Sequence, residues 1–193
     1  MYKPFKSRVD RSRGYGRFGG NTFRAGAGRR IKSLDPTNIV NLPQMPSAIV
    51  VQEITHTFND FNINDSLRRN VMEKGYKAPT PIQDQSIIPI LEGRDLIGIA
   101  NTGTGKTAAF LIPLLDMVLK NRSLKTLIVA PTRELAGQIR DELTSLARGL
   151  NVYSALCIGG ASMGRQISDL RRNPNFVIGT PGRIEDLIRT RNL

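Results

Sequence analysis

From position 95 onward the chain carries four short apolar runs without polar alternation: Asp95 to Ala100, Thr126 to Ala130, Val152 to Ile158 and Phe176 to Ile178. A run that does not alternate is the mark of a strand covered on both faces. Each run is followed by a stretch of helical period. After the second, Leu135, Ile139, Leu143 and Leu146 share one stripe, with Arg140, Asp141 and Glu142 on the other side. Alternating strand and helix predicts an α/β fold: a doubly wound parallel sheet with right-handed crossovers and helices on both faces. In such a sheet the strand-to-helix turns share one edge, where helix N-termini present unpaired N–H groups to anions. The turns predicted here are Ala100 to Thr107, Pro131 to Glu134, Gly159 to Ser162 and Thr180 to Arg183.

Upstream of the runs the pattern fades. Residues 35–49 hold Pro36, Pro43 and Pro46 and read as a linker, so the folded domain is expected over residues 50–193. Residues 1–34 have no apolar periodicity. They carry ten Lys and Arg against one acid, Asp10, which accounts for nine of the twelve net positive charges of the chain. With their glycines and singly spaced Tyr2, Phe5, Tyr15, Phe18 and Phe23, they are expected to form a disordered basic tail. Cations that release counterions and aromatics that stack on unpaired bases suit single-stranded nucleic acid. A solubilising arm without a specific partner is the plainer reading, and a transit peptide is disfavoured by the glycine content.

The remaining composition, 193 residues with 39% apolar and 23% charged side chains, is that of an ordinary folded domain. No stretch approaches the roughly 18 apolar residues of a membrane span and no apolar signal segment opens the chain, so a cytoplasmic location without membrane partners is expected. Cys157 is a single cysteine, which excludes an intrachain disulfide; in its apolar run it reads as a buried, inert thiol. His56, with no second ligand near it, is given no catalytic role.

The first turn carries the sharpest chemistry. Ala100, Asn101, Thr102, Gly103, Thr104, Gly105, Lys106 and Thr107 follow an apolar run and open a helix through Ala108, Ala109 and Phe110. This is a phosphate-gripping loop: two glycines let the backbone curl around phosphate oxygens, Lys106 reaches the terminal phosphates and Thr107 ligates magnesium. Its first position is Ala rather than Gly, which leaves the cradle and Lys106 intact. Lys106 and Thr107 are the expected catalytic pair, and a nucleoside triphosphate with Mg2+ the expected ligand.

Four further stretches accompany the loop. Gly75-Tyr76-Lys77-Ala78-Pro79-Thr80-Pro81-Ile82-Gln83 lies seventeen positions after Phe58; then come Pro131-Thr132-Arg133-Glu134-Leu135-Ala136 and Gly159-Gly160, and finally Thr180-Pro181-Gly182-Arg183. In this order they resemble the Q motif, motif Ia, double glycine and motif Ib of the DEAD-box RNA helicases, over Thr57 to the last residue. The resemblance implies a RecA-like ATP-binding domain with its Q motif at 58–83, incomplete because the sequence holds neither the D-E-A-D tetrad nor the S-A-T motif nor the second RecA-like domain of the same parent chain. It implies ATP with Mg2+, with Gln83 reading adenine, Phe58 stacking on it, and Lys77 and Thr80 beside it. It implies RNA held through its backbone, independent of sequence, by Pro131, Thr132, Arg133, Gly159, Gly160, Thr180, Pro181, Gly182 and Arg183.

Plainer readings stand beside these. Thr80-x-x-Gln83 with Pro81 is also a capping box, and both readings can hold. Thr132-Arg133 and Thr180-Pro181 are also helix starts, although Gly182 weakens a first turn by roughly 0.5–1 kcal/mol relative to Ala, which suits close approach of another backbone. The intact parent is expected to separate RNA strands locally using ATP, and this chain alone to bind ATP without hydrolysing it. A different P-loop enzyme leaves the Q motif unexplained. A non-catalytic RNA-binding protein using the tail and the phosphate-binding turns remains the alternative.

Overall fold

The computed structural model describes residues 53–193. The expected basic tail and linker lie outside the described residues.

Six helices and three strands follow in chain order among the described residues: α1 Asp65–Glu73, α2 Pro81–Leu91, α3 Lys106–Lys120, β1 Thr126–Val129, α4 Arg133–Leu146, β2 Ser154–Cys157, α5 Met163–Arg171, β3 Phe176–Gly179 and α6 Pro181–Arg189. The strands form one parallel sheet in the order β1-β3-β2. Thr126 pairs with Phe176 and Val129 with Gly179 on one side of β3, and Ser154 and Cys157 pair with the same two residues on the other. At Gly179 a side chain is excluded, because its Cβ would strike the carbonyl of Cys157 on the adjacent strand.

Both faces of the sheet carry helices, as the alternation predicts. On one face Phe176 and Ile178 join a core with Leu143 and Leu146 of α4, Leu111 and Leu115 of α3, Ile87 of α2 and Leu67 of α1. Burial of each such side chain stabilises the fold by roughly 1.5–3 kcal/mol. On the other face Ala155, Cys157 and Val177 pack with Ile184 and Leu187 of α6 and with Met163, Ile167 and Leu170 of α5. That second cover stops short of β1, whose Leu127 and Val129 are exposed. The period written into α4 is realised: Ile139, Leu143 and Leu146 are buried, Leu135 is half-buried, and Thr132 caps the helix by accepting from the Leu135 amide at 3.2 Å.

One expected strand is corrected. Asp95–Ala100 is not a strand: the chain runs from α2 to the phosphate loop without a ladder partner, and Ile97 and Ile99 are each 92% exposed. An unalternating apolar run records a demand for cover on two sides, but a strand also needs a neighbour to hydrogen-bond, and no described segment runs beside this one. The segment instead forms one wall of an apolar hollow of about 530 Å3 lined by Leu96, Ile90, Phe110, Leu114, Leu135 and Ile139 among others. Of the other three strands, β1 and β2 are shorter than their apolar runs, and β3 extends one residue beyond its run to Gly179. Among the described residues no helix is long and apolar enough to cross a membrane.

Candidate nucleotide and nucleic-acid sites

The loop before α3 has the geometry its glycines predict. Gly103 and Gly105 take φ of +78° and +87°, the left-handed region, and Gly105 is the N-cap residue of α3. Such a cap has no side-chain oxygen to offer the first helical amides, so they stand ready for an anion. Thr104 Oγ1 donates to the Asn101 carbonyl at 2.8 Å and braces the loop. The Lys106 ammonium folds across it, donating to the carbonyls of Ala100 and Asn101. Thr107 follows on the first turn of the helix, half-buried. Positive-φ glycines, uncapped amides and one ammonium fit a polyphosphate. For magnesium, Thr107 offers one hydroxyl, and no group of three His, Cys, Asp or Glu that could hold a metal lies among the described residues; phosphate oxygens would supply the other ligands.

The Q-motif residues are distributed differently from the expectation. Thr80 and Pro81 start α2, and Gln83 completes the capping box, its Oε1 accepting from the Thr80 amide at 2.9 Å. Gln83 is fully buried, and its Nε2 donates to the Gly105 carbonyl at 3.2 Å. Its amide therefore joins the start of α2 to the phosphate loop, and Gly105 lacks a side chain because a Cβ there would collide with that amide. Phe58 is 1% exposed and packs edge-on against Phe61 and Tyr76, with ring centroids at 5.9 and 6.2 Å. So placed it presents no face on which a base could stack, and its ring is a core side chain. Lys77 is exposed. Tyr76 donates to Glu142 of α4 at 2.9 Å; burial and then the Glu142 carboxylate push its hydroxyl up to about 12.

Asp84, next to Gln83, carries no mark in the sequence yet fixes this region. Its buried carboxylate accepts from the Thr55 amide and hydroxyl at 2.9 and 3.1 Å, from the His56 amide at 3.1 Å, and pairs with His56 Nδ1 at 2.7 Å. Burial works to raise its pKa, but the Thr55 amide, the His56 ring and the Thr55 hydroxyl outweigh it and hold the carboxyl below the usual range. A carboxyl depressed by folding adds stability above its unfolded pKa of about 3.9 and loses it as pH falls through the lower folded value. Asp84→Asn is therefore expected to cost about 1–3 kcal/mol at pH 7, read from the urea midpoint, and to shrink the difference between pH 7 and pH 3. An unchanged acid dependence would place the sensitive carboxyl elsewhere.

The other turns converge on a second site. Pro131, Thr132, Arg133, Gly159, Thr180, Gly182 and Arg183 line one cleft of about 540 Å3 at the carboxyl ends of the strands; of the expected set, Gly160 and Pro181 lie beside it rather than on its wall. Glu134 and Asp186 also line it. Sequence reasoning missed Asp186, whose signal was its position one helical turn after Gly182. Thr180 sits at the N-cap of α6 without spending its hydroxyl on a helix amide, in contrast to Thr132. Nothing among the described residues crowds a Cβ at Gly182, so the packing described does not demand glycine there. Arg183 donates to the Ala161 carbonyl at 3.2 Å and keeps a buried Nε–H with no acceptor among the described residues. Such a donor costs roughly 1–3 kcal/mol unless an acceptor meets it, which suits an anionic ligand. Cys157 lies beneath, fully buried, its thiol pushed up to about 11 by burial against the pull of Arg183.

A parallel α/β sheet, a phosphate loop at a helix N-terminus and a second cleft of basic turns define a P-loop nucleotide-binding domain. Residues 80–193 match the profile of the DEAD/DEAH box helicase, well over half of the chain, and the protein belongs to that family. It is 37% identical over 156 residues to the DEAD-box ATP-dependent RNA helicase RhpA of Helicobacter pylori (strain B128), covering 80% of this chain and 32% of that protein. To the ATP-dependent RNA helicase CshA of Limosilactobacillus reuteri it is 44% identical over 132 residues, 68% of this chain and 27% of that one. Among solved structures, a DEAD box protein from the hyperthermophile Methanococcus jannaschii superposes with a TM-score of 0.67 at 40% identity, over 71% of this chain and 38% of the other. The chain thus spans about a third of the length of the curated relatives it matches.

Proposed function

We propose that this chain is the nucleotide-gripping part of an ATP-dependent RNA helicase, with ATP and Mg2+ at the loop 100–107 and one RNA strand along the cleft of Arg133, Thr180 and Arg183. What supports the reading is the nearness of two helix starts, those of α3 and α4. Lys106 and Thr107 share a hollow with Leu135, two residues beyond Arg133, so the helix starts that would hold triphosphate and RNA phosphate are neighbours. Contacts from turns and helix N-termini reach phosphate and sugar, so RNA is bound irrespective of its sequence.

Phosphoryl transfer depends on positioning and charge neutralisation. The 193 residues contain no Asp-Glu-Ala-Asp tetrad. We therefore expect ATP binding without turnover from this chain, and strand separation from the whole parent. The cytoplasm is the expected location.

The reading is tested by titrating the chain with fluorescent ATP and GTP analogues in the presence of Mg2+. ATP is preferred, and Gln83→Ala abolishes the preference. Equal loss of both nucleotides in that variant would reduce Gln83 to a prop for the loop, and RNA binding without any nucleotide binding would favour a binding module over a helicase.

A further inference from the structure

We propose that Gly159 and Gly160 are a seat for Arg133, holding its guanidinium in place for a phosphate rather than touching the nucleic acid themselves. A Cβ built on Gly159 would lie 3.0 Å from Arg133 Nη2 and 3.4 Å from both Cζ and Nε; one on Gly160 would lie 2.5 Å from Nη1 and 3.3 Å from Cζ. The nearest atoms are the two terminal nitrogens, one at each glycine, so the end of the guanidinium lies against the backbone of both residues. Two consecutive residues without side chains thus form a floor on which the planar cation rests.

The floor is itself fixed. Buried Gln166 of α5 donates to the Ile158 carbonyl at 3.0 Å, just before the two glycines, and Ser162 caps α5 just after them. Gly160 turns the chain with φ of +80°. Among the described residues the Arg133 guanidinium makes no hydrogen bond or ion pair. Close contact with a backbone that carries no side chains restrains the guanidinium without using its N–H groups, which stay available to a bidentate acceptor. A long side chain ordered in advance loses less freedom when its ligand arrives. A methyl group at either glycine would meet the far end of a flexible side chain, so the fold survives and the guanidinium moves.

The inference rests on the reading of the cleft as an RNA site, and the experiment separates the two. Gly159→Ala is the probe, because Gly160 holds a left-handed φ that adds backbone strain of its own. The affinity of the full chain for a fluorescein-labelled uridine decamer is measured across a salt series for the original protein, Gly159→Ala, Arg133→Ala and the double variant, with thermal midpoints as the check on folding. Arg133→Ala weakens binding and lowers the salt slope by about 0.7, the counterion share of one phosphate on a single strand. Gly159→Ala weakens binding about 3- to 10-fold while Arg133 is present and adds nothing once it is gone. Arg133→Lys, which keeps the charge without the planar fork, is equally insensitive to Gly159→Ala. The same loss from Gly159→Ala in every background would mean that the glycine meets the strand directly, and the seat would be wrong. An Arg133→Ala protein that binds the decamer unchanged would remove the RNA reading, and the seat with it.

Discussion

Lys106→Ala is expected to lower affinity for Mg-ATP about 10- to 100-fold, the factor that corresponds to losing charge-assisted hydrogen bonds of roughly 1.5–3 kcal/mol. The effect should grow with the number of phosphates. In the structure the ammonium lies across the loop on the carbonyls of Ala100 and Asn101. Its removal therefore has two routes to weaker binding: loss of a cation opposite the terminal phosphates, and loss of a tie that shapes the loop. Comparing ATP, ADP and AMP by calorimetry separates them. A cation acting on the terminal phosphates penalises ATP most and AMP least, whereas a slackened loop penalises all three alike. Unchanged ATP affinity would refute the role given to Lys106.

Replacing Ile97 and Ile99 together by Lys should sharply reduce self-association of this chain, read by light scattering at tens of micromolar. These two side chains are almost wholly exposed, Leu96 beside them is 44% exposed, and Leu127 and Val129 of β1 are 52% and 54% exposed. Among the described residues β1 pairs on one side only, so its other side offers an open row of backbone donors and acceptors. Exposed apolar side chains and an open strand edge both favour association. Because Ile97 and Ile99 bury almost nothing, the double substitution should change stability by no more than about 0.5 kcal/mol. The original chain is expected to be marginal, and a cooperative thermal transition well above about 50 °C without additives would contradict that.

Much of this architecture could be read from residue pattern. Three of four apolar runs became strands of one parallel sheet, and the helical stripe through Leu135, Ile139, Leu143 and Leu146 became the face of α4 that covers it. The turns after those strands meet in one cleft because parallel topology leaves them no other edge. The fourth run failed for a reason its own residues do not contain: pairing belongs to two segments, and a sequence window shows one. Phe58 misled in the opposite sense. The resemblance to the Q motif implied a base stacked on it, but a large ring among Phe61, Tyr76 and the apolar core side chains is more stable buried. Gln83 was singled out correctly as a constrained residue, but its link to the Gly105 carbonyl joins elements twenty-two positions apart and has no local signature. The clasp of Asp84 on Thr55 and His56 escaped notice for the same reason.

The strand order carries a consequence for how the molecule is made. β3 is central and is the last of the three to be synthesised, and both of its neighbours pair with it and not with each other. Thr126 must therefore wait for Phe176, and Ser154 for the same residue, before any ladder can close. During translation α1 to α5 can assemble locally while β1 and β2 remain bare, and these three strands pair in one late step once β3 clears the ribosome. Nascent chains stalled before that point are the ones that should need a chaperone most.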